Sequence, residues 1–164
     1  MDRITDREAT LDDVPAMASL RERSGWDGGA SEAVMRLYLV GEHHPQHALA
    51  PRVAFLAESD TSAIGYIAGH LTNRFGCDGE LQWLLVAPAH RGSPTATRLL
   101  RRLAGWFACH GAPRVCVNVA SDNSRARGFY RRHGAKELSP HWMVWGDITT
   151  LQEDGPSDGP RAKV

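Results

Sequence analysis

Residues 81–103, LQWLLVAPAHRGSPTATRLLRRL, constrain the fold of this chain more than any other stretch. The stretch begins with an apolar and aromatic run, LQWLLV, which is typical of a buried strand. Pro88 ends the strand because proline cannot donate a hydrogen bond to a neighbouring strand. After a short basic turn, apolar residues recur at helical spacing opposite Arg98, Arg101 and Arg102. We therefore predict a buried strand and an amphipathic helix, joined by a turn that contains glycine.

The predicted turn, HRGSP at residues 90–94, is a candidate site for an anion. The first N–H groups of a helix lack partners within the helix, and the helix dipole places positive charge at the same end. Phosphate groups bind at such positions, and Arg91 adds a cation there. Many strand–helix turns hold no ligand, however, so a second motif is needed to assign one.

That second motif lies at residues 123–135, NSRARGFYRRHGA. Its spacing resembles motif B of the GNAT acetyltransferase superfamily, N-x-x-A-x-x-(F/L)-Y-x-x-x-G-(F/A). VAP at residues 86–88, followed by RGSPTA at residues 91–96, resembles motif A of the same family, in which V-x-P precedes Arg/Gln-x-x-Gly-x-Gly/Ala. Two ordered motifs are more specific than one, and the resemblance extends over residues 4–148. It implies an α/β (α+β) GNAT fold, whose mixed sheet of six to seven strands is splayed between strands 4 and 5 and flanked by about four helices.

The rest of the sequence is compatible with one domain of this kind. A chain of 164 residues can bury a core without disulfides or a metal. We predict a single domain over residues 1–150, in which Thr10 and Ser31 begin helices as N-caps, and a disordered tail over residues 151–164. The three cysteines are odd in number and lack CxxC spacing, so neither a disulfide framework nor a metal site is expected.

Charge and hydropathy limit the partners of the chain. The formal net charge is zero, which does not favour non-specific binding to nucleic acid or to a membrane. The first ten residues lack the apolar region of a signal peptide, and no run of eighteen apolar residues occurs. We therefore expect a cytoplasmic protein without nucleic-acid or membrane partners, and the family resemblance leaves a homodimer open.

The two halves of the sequence differ in charge. Acidic residues outnumber basic ones by thirteen to seven in residues 1–80, whereas basic residues outnumber acidic ones by twelve to six in residues 81–164. Such a division suits a cationic substrate that faces a polyanionic cofactor. Uneven charge also arises by chance, so the division does not identify the substrate.

The resemblance implies acetyl-CoA as the cofactor. In the family's geometry, backbone groups of Leu84 and Val86 bond the pantetheine arm and polarise the thioester carbonyl. Asn123 begins its helix as a cap and bonds the same arm. The pyrophosphate would then lie over the turn and the first helical residues, which are Arg91, Gly92, Ser93, Thr95, Ala96 and Thr97.

Pro94 is the one departure from motif A, because it stands where the family has its first glycine. Proline removes one N–H that would face the phosphates, although it suits the first turn of a helix. Losing one donor weakens binding by ~1–3 kcal/mol if nothing replaces it. The hydroxyls of Ser93 and Thr95 and the guanidinium of Arg91 are available as replacements.

Two side chains are candidates for the proton transfers that amine acetylation requires. Glu80 lies eleven residues before Arg91, and in several members of the family a glutamate at this offset deprotonates the amine, directly or through water. The alternative is an ordinary exposed glutamate at the start of a strand. Tyr130 is the tyrosine of motif B, which in the family protonates the leaving thiolate. The alternative is a core tyrosine whose hydroxyl bonds the backbone.

Four further residues are candidate substrate contacts. In this family the first two helices and their loop line the acceptor site, which makes Trp26 and Tyr38 candidates, with plain core packing as the alternative. Strict alternation along the central strand places Gln82 on the same face as Glu80. Asn118 would point into the gap between the splayed strands, although a structural role is equally compatible with its position.

The predicted activity is transfer of an acetyl group from acetyl-CoA to a primary amine of a small molecule, by direct attack in a ternary complex. The acceptor could be a polyamine-like or aminoglycoside-like cation, an amino acid or a xenobiotic amine. A ping-pong route through Cys116 would be the alternative mechanism. Two other functions remain open from sequence alone: a protein N-terminal or lysine acetyltransferase, and a non-catalytic acyl-CoA sensor.

Overall fold

The computed structural model describes residues 3–25, 31–60 and 62–152. Trp26 and residues 153–164 of the predicted tail lie outside the described residues. The helices are α1 (Val14–Arg23), α2 (Glu32–Leu39), α3 (Thr95–Cys109) and α4 (Ser124–Arg132). The strands are β1 (Ile4–Glu8), β2 (Ala48–Ser59), β3 (Ser62–Thr72), β4 (Gly79–Val86), β5 (Val115–Asn118), β6 (Lys136–Ser139) and β7 (Trp142–Trp145). A final 3₁₀ turn, Ile148–Leu151, continues the described chain to Gln152.

The strands form one seven-stranded sheet in the order β1-β2-β3-β4-β5-β7-β6. The β4–β5 pair is parallel and the other neighbouring pairs are antiparallel. The parallel ladder has only three partner pairs and ends at Leu81 and Val117, so β4 continues to Val86 without β5 beside it. The predicted mixed sheet, the splay between its fourth and fifth strands and the four helices are therefore confirmed.

Local capping rules account for how the first two helices begin. Thr10 and Asp13 form a capping box around a 3₁₀ turn that leads into α1. Ser31 accepts a hydrogen bond from the backbone N–H of Val34 and caps α2. Both N-caps lie where the sequence predicts them.

The two faces of the sheet carry separate cores. On one face, Leu99, Leu103 and Phe107 of α3 pack against β2, β3 and β4 and are fully buried. On the other face, α1 and α2 cover Trp83 and Leu85 of β4. Because β4 is covered on both faces, its residues form the continuous apolar run from which the strand is predicted.

Gly79 allows α3 to approach the start of β4. A Cβ atom at this position would lie 2.3 Å from the ring of Phe107. We expect Gly79→Ala to lower the free energy of unfolding by about 1–3 kcal/mol, because the ring must move within a packed core. Urea unfolding checks this value. The matched control is Gly105→Ala, because the nearest described atom outside its own helix segment to the new Cβ would be Gln152 Oε1 at 3.9 Å, and alanine favours the helix. Equal effects of the two substitutions would contradict the expectation.

Candidate active site

A cleft of about 730 Å³ opens where β4 leaves β5. The end of β4, the following turn, the start of α3 and one side of α4 line it. The lining residues are Leu84, Leu85, Val86, His90, Arg91, Gly92, Ser93, Ala96, Thr97, Asn123, Arg125, Ala126, Phe129, Arg132 and His133. The two sequence motifs, far apart along the chain, therefore meet at one cleft.

Nearly all of the predicted cofactor-binding residues line this cleft. The lining includes Leu84 and Val86 from β4, the turn and α3 residues of motif A, and Asn123 of motif B. Thr95 is the exception, because it is fully buried and its hydroxyl lies 2.9 Å from the Ser93 hydroxyl. Its role is to hold the turn rather than to face the cleft.

The turn of motif A is shaped by Gly92 and Ser93. Gly92 has a φ of 85°, a conformation that residues with a Cβ rarely adopt. The Ser93 hydroxyl accepts a hydrogen bond from the Thr95 N–H, which satisfies the first donor of α3. Pro94 is the N-cap of α3, so its missing N–H precedes the first turn of the helix. Ala96 and Thr97, the next residues of α3, both line the cleft.

Three arginines at the cleft have no acidic partner among the residues that the structure describes. Arg91, Arg125 and Arg132 line the cleft and are exposed. Within the described part of the chain, none of the three forms an ion pair, whereas Arg98 and Arg102 on the outer side of α3 both pair with Asp6. A cleft with unpaired arginines and a helix N-terminus fits a polyphosphate such as that of acetyl-CoA.

A hydrogen-bonded histidine links the two helices that line the cleft. His133 Nδ1 donates to the Phe129 carbonyl at 2.9 Å. In the neutral ring Nε2 is then the acceptor, and the Thr97 hydroxyl donates to it at 3.2 Å. This contact joins the start of α3 to the end of α4 beside the predicted phosphate site.

Asn123 lines the cleft, whereas Tyr130 of α4 is buried in the core. Asn123 Oδ1 accepts the N–H of Ala126 and caps the helix, as the sequence predicts. Tyr130 packs in the core, 6% exposed, with its ring edge-to-face against Trp145 at 5.5 Å. Burial raises the pKa of the Tyr130 phenol well above its ordinary value, so the hydroxyl keeps its proton at neutral pH. Tyr130 is not a lining residue of the cleft, although its neighbour Phe129 is.

Glu80 belongs to a buried polar cluster on the α2 side of the sheet. Glu80 is 5% exposed, which is incompatible with the alternative of an ordinary exposed glutamate. Arg74 Nε donates to Glu80 Oε1 at 3.2 Å, and His70 Nε2 lies 3.6 Å from the same oxygen. His70 Nδ1 lies 2.8 Å from the Tyr38 hydroxyl. Glu80, His70, Arg74 and Tyr38 are hereafter called the Glu80 cluster.

A β-bulge at Gln82 changes which residues share a face of β4. In the β3–β4 ladder Ala68 pairs with Trp83 and Gly69 pairs with Leu81, so Gln82 is the extra residue. Strict alternation is therefore broken in this segment, because Leu81 packs in the core under α3 whereas Trp83, two residues later, packs in the core under α1 and α2. That Gln82 shares a face with Glu80 stays a prediction. Gln82 Oε1 is buried and lacks a hydrogen-bond partner among the described residues.

The other candidate substrate contacts lie in different environments. Tyr38 is fully buried, with its ring 4.8 Å from that of Trp83 and the guanidinium of Arg52 over its face. Burial also raises the pKa of the Tyr38 phenol well above its ordinary value. Asn118 is exposed at the end of β5, beyond the last pair of the β4–β5 ladder.

His70 and Arg74 are the members of the Glu80 cluster that sequence reasoning missed. His70 is the one basic residue in the strand sequence SAIGYIAGHLT, a signal that was available. Arg74 lies in the turn after that strand, where a charged residue is unremarkable in sequence. The pairing of His70 with Glu80 across β3 and β4 reveals that the two residues are neighbours.

Cys116 is poorly placed to serve as a nucleophile. It is fully buried on β5, and burial, Cys77 and Glu80 raise the pKa of its thiol far above the ordinary value. Burial also raises the pKa of Cys77, whereas Cys109 is exposed. We expect iodoacetamide to label the folded protein at Cys109 alone and all three cysteines after denaturation. Intact mass and peptide mapping measure this, and rapid labelling of Cys116 in the folded protein would contradict it.

Two other features, a membrane-spanning helix and a metal centre, are absent from the described residues. In that part of the chain, no helix combines the length and apolar character that a membrane span requires. The same residues contain no group of three or more His, Cys, Asp and Glu side chains arranged to hold a metal ion.

Comparison with known proteins identifies the family. Residues 22–135 match the acetyltransferase (GNAT) family. An uncharacterised N-acetyltransferase of Mycobacterium bovis is 32% identical over 123 residues, which cover 74% of this chain and 72% of that protein. The L-2,4-diaminobutyric acid acetyltransferase of Nocardia farcinica is 30% identical over 91 residues, covering 52% of this chain and 47% of that protein. The matched part spans only 26% of a further N-acetyltransferase relative, from Bacillus subtilis.

The fold is also similar to that of solved acetyltransferases. The structure of the PaiA N-acetyltransferase from Thermoplasma acidophilum, in complex with coenzyme A, matches with a TM-score of 0.68 and 16% identity. The match covers 87% of this chain and 97% of that one. The chain belongs to the GNAT acetyltransferase family. Family membership confirms the predicted class, the GNAT-type acyltransferases.

Proposed function

We propose that this chain is an N-acetyltransferase that transfers an acetyl group from acetyl-CoA to a primary amine of a small molecule. The observation that carries the proposal is the splay of β4 from β5. It opens a basic cleft at one end of β4, while Glu80 is buried four residues before the cleft-lining Leu84. Four residues of extended strand span roughly 13 Å, which leaves room for a thioester and an amine between them.

The cleft supplies binding and orientation for the cofactor. Arg91, Arg125 and Arg132, with the first N–H groups of α3, would hold the phosphates. Backbone groups of Leu84 and Val86, which have no β5 partner, would orient the pantetheine arm. When bound, acetyl-CoA supplies an activated acyl group and a thiol leaving group.

The residues proposed for proton transfer are Glu80 and Tyr130. An amine must lose a proton to attack the thioester, and Glu80 would accept that proton directly or through one water molecule. The departing thiolate must gain a proton, and the Tyr130 hydroxyl, which stays protonated at neutral pH, would donate it. Direct attack in a ternary complex is favoured because the buried Cys116 is protonated.

A small amine is the proposed acceptor for two reasons. The first half of the chain, which contributes the Glu80 cluster and most of the core on the α2 side of the sheet, carries the excess of acidic residues. The Nocardia relative that is 30% identical is named for acetylation of L-2,4-diaminobutyric acid, a small diamine. Gln82 Oε1, buried and without a partner among the described residues, is a candidate acceptor for the substrate N–H.

The experiment that tests this function has two steps. Calorimetric titration with acetyl-CoA measures whether the chain binds one equivalent of the cofactor. A panel of amines, with thiol release from acetyl-CoA as the readout, then includes diamines, polyamines, amino acids and peptides with free N-termini. Acetylation of small diamines in preference to peptides supports the proposal. Acetylation of peptides alone identifies a protein acetyltransferase, and binding without any transfer identifies a sensor.

The contribution of the basic cleft can be measured separately. We expect Arg91→Ala to weaken acetyl-CoA binding by roughly 10- to 100-fold, because it removes a charge-assisted donor worth about 1.5–3 kcal/mol. The matched control is Arg101→Ala, an exposed arginine of α3 that does not line the cleft. Calorimetry compares the two variants with the parent. Equal affinities for both would mean that the phosphates lie elsewhere.

A further inference from the structure

His70 is buried in a way that requires a physical explanation. It is 0% exposed, and its Nε2 has no hydrogen-bond partner among the described residues. A buried polar atom without a partner loses its hydration without compensation, which costs about 1–3 kcal/mol. Native proteins tolerate few such atoms, and those that persist commonly have a role.

The surroundings of His70 indicate which ring nitrogen carries the proton. The buried Tyr38 hydroxyl lies 2.8 Å from Nδ1, and the Glu80 carboxylate lies 3.6 Å from Nε2. If Nδ1 donated to Tyr38, the lone pair of a neutral Nε2 would face the negative carboxylate. Donation from the Tyr38 hydroxyl to Nδ1 instead places the proton on Nε2, where it points at Glu80.

Two donors then converge on one oxygen of Glu80. Arg74 Nε donates to Oε1 at 3.2 Å, and His70 Nε2 is directed at the same oxygen. Within the part of the chain that the structure describes, Oε2 accepts no hydrogen bond. The carboxylate therefore has one oxygen that is held and one whose lone pairs remain available to take a proton.

We infer that His70 is a positioning residue, which holds Glu80 Oε1 through Nε2–H so that Oε2 acts as the base, with Tyr38 selecting the His70 tautomer. This inference rests on the proposed function of Glu80. The 3.6 Å separation is longer than a hydrogen bond, but such contacts are often long before substrate binds and tighten in the complex. The remaining charged or titratable neighbours in the β-ladders are Arg52, paired with His70, and Cys116, paired with Glu80.

A double-mutant cycle separates this role from a merely structural one. We expect His70→Leu to lower kcat/KM by up to about a hundredfold in the parent, the scale of effect that misplacing a catalytic group produces. In the Glu80→Gln background the same substitution should change kcat/KM by less than about twofold, because no base remains to be positioned. An equal factor in both backgrounds would show that His70 supports only the fold.

Two further variants keep the result interpretable. His70→Gln retains an N–H donor and should recover part of the activity, which guards against a simple loss of folding in His70→Leu. The control His110→Leu replaces an exposed histidine at the C-cap of α3, whose ring bonds the Trp106 carbonyl and packs on the Trp106 ring. Thermal unfolding and acetyl-CoA binding of each variant report whether the fold and the cleft are intact.

A measurement that does not need turnover separates this inference from the proposed function. Long-range ¹H–¹⁵N correlation spectra distinguish the two histidine tautomers, and the His70 signals are those lost in His70→Gln. We expect the Nε2–H tautomer in the parent and a changed signal in Tyr38→Phe. An Nδ1–H tautomer overturns the inference even if the enzyme is active. An inactive parent with the Nε2–H tautomer and an altered Tyr38→Phe signal refutes the proposed function but not the geometry inferred for His70.

Discussion

Glu80→Gln should lower kcat by roughly 10²- to 10⁴-fold, the contribution that a positioned general base makes. Glutamine keeps the shape of the side chain and can still accept the hydrogen bond from Arg74, but it cannot take a proton from the amine. Acetyl-CoA affinity should be unchanged, because Glu80 does not line the cleft. Steady-state kinetics and calorimetry on the same preparation measure the two quantities.

The pH dependence of the Glu80→Gln deficit distinguishes catalysis from positioning. As pH rises, more of the amine substrate is already free of its proton, so the enzyme depends less on a base. The deficit should therefore be largest at low pH and shrink as pH rises. A deficit that is constant with pH would mean that Glu80 orients the substrate or a water molecule instead.

Glu32→Gln is the matched control for this prediction. Glu32 is an exposed residue of α2 that pairs with Arg36 one helical turn away. Surface pairs of this kind contribute little to stability, and Glu32 does not contact the Glu80 cluster. Parental kinetics are expected in this variant. A comparable loss of activity in Glu32→Gln would mean that the loss in Glu80→Gln reflects general damage to the acidic side of the protein.

Local sequence rules predict the half of the site that we propose to hold the cofactor. The strand, the turn with Gly92 and the cap at Asn123 each depend on residues a few positions apart, which the sequence displays directly. The two motifs meet because β4 and the chain after β5 diverge, a property of the family fold rather than of any single residue. For the strand, the turn and the helix cap, the sequence pattern and the family resemblance were sufficient to predict the structure.

The Glu80 cluster depends on pairing between strands, which local rules do not specify. His70 and Glu80 are partners across β3 and β4, and the bulge at Gln82 determines the faces of the residues that follow. A bulge moves the side chain of every later residue to the opposite face of the sheet from that expected by simple alternation. The residue types around Gln82 do not predict the bulge. The sequence therefore predicted Glu80 as the base but missed His70 and Arg74, the two side chains directed at its carboxylate.

Tyr130→Phe tests the other proposed proton transfer. If the Tyr130 hydroxyl protonates the leaving thiolate, its removal should lower kcat by about 10²-fold or more. Acetyl-CoA affinity should stay close to the parental value, because Tyr130 is not among the residues that line the cleft. The ring packing against Trp145 is retained in phenylalanine, so thermal stability should change little.

Tyr130 is buried and does not line the cleft, so a role in core packing is the competing explanation that this experiment must exclude. Tyr66 provides the matched control, because it is also fully buried and its hydroxyl has no partner among the described residues. Tyr66→Phe should leave kcat unchanged and preserve or raise stability, since it removes an unsatisfied polar atom. If Tyr130→Phe behaves in the same way, Tyr130 is a core residue and another group supplies the proton. If only Tyr130→Phe loses turnover, its hydroxyl must reach the thiolate when the cofactor is bound, although Tyr130 is not one of the residues that line the cleft.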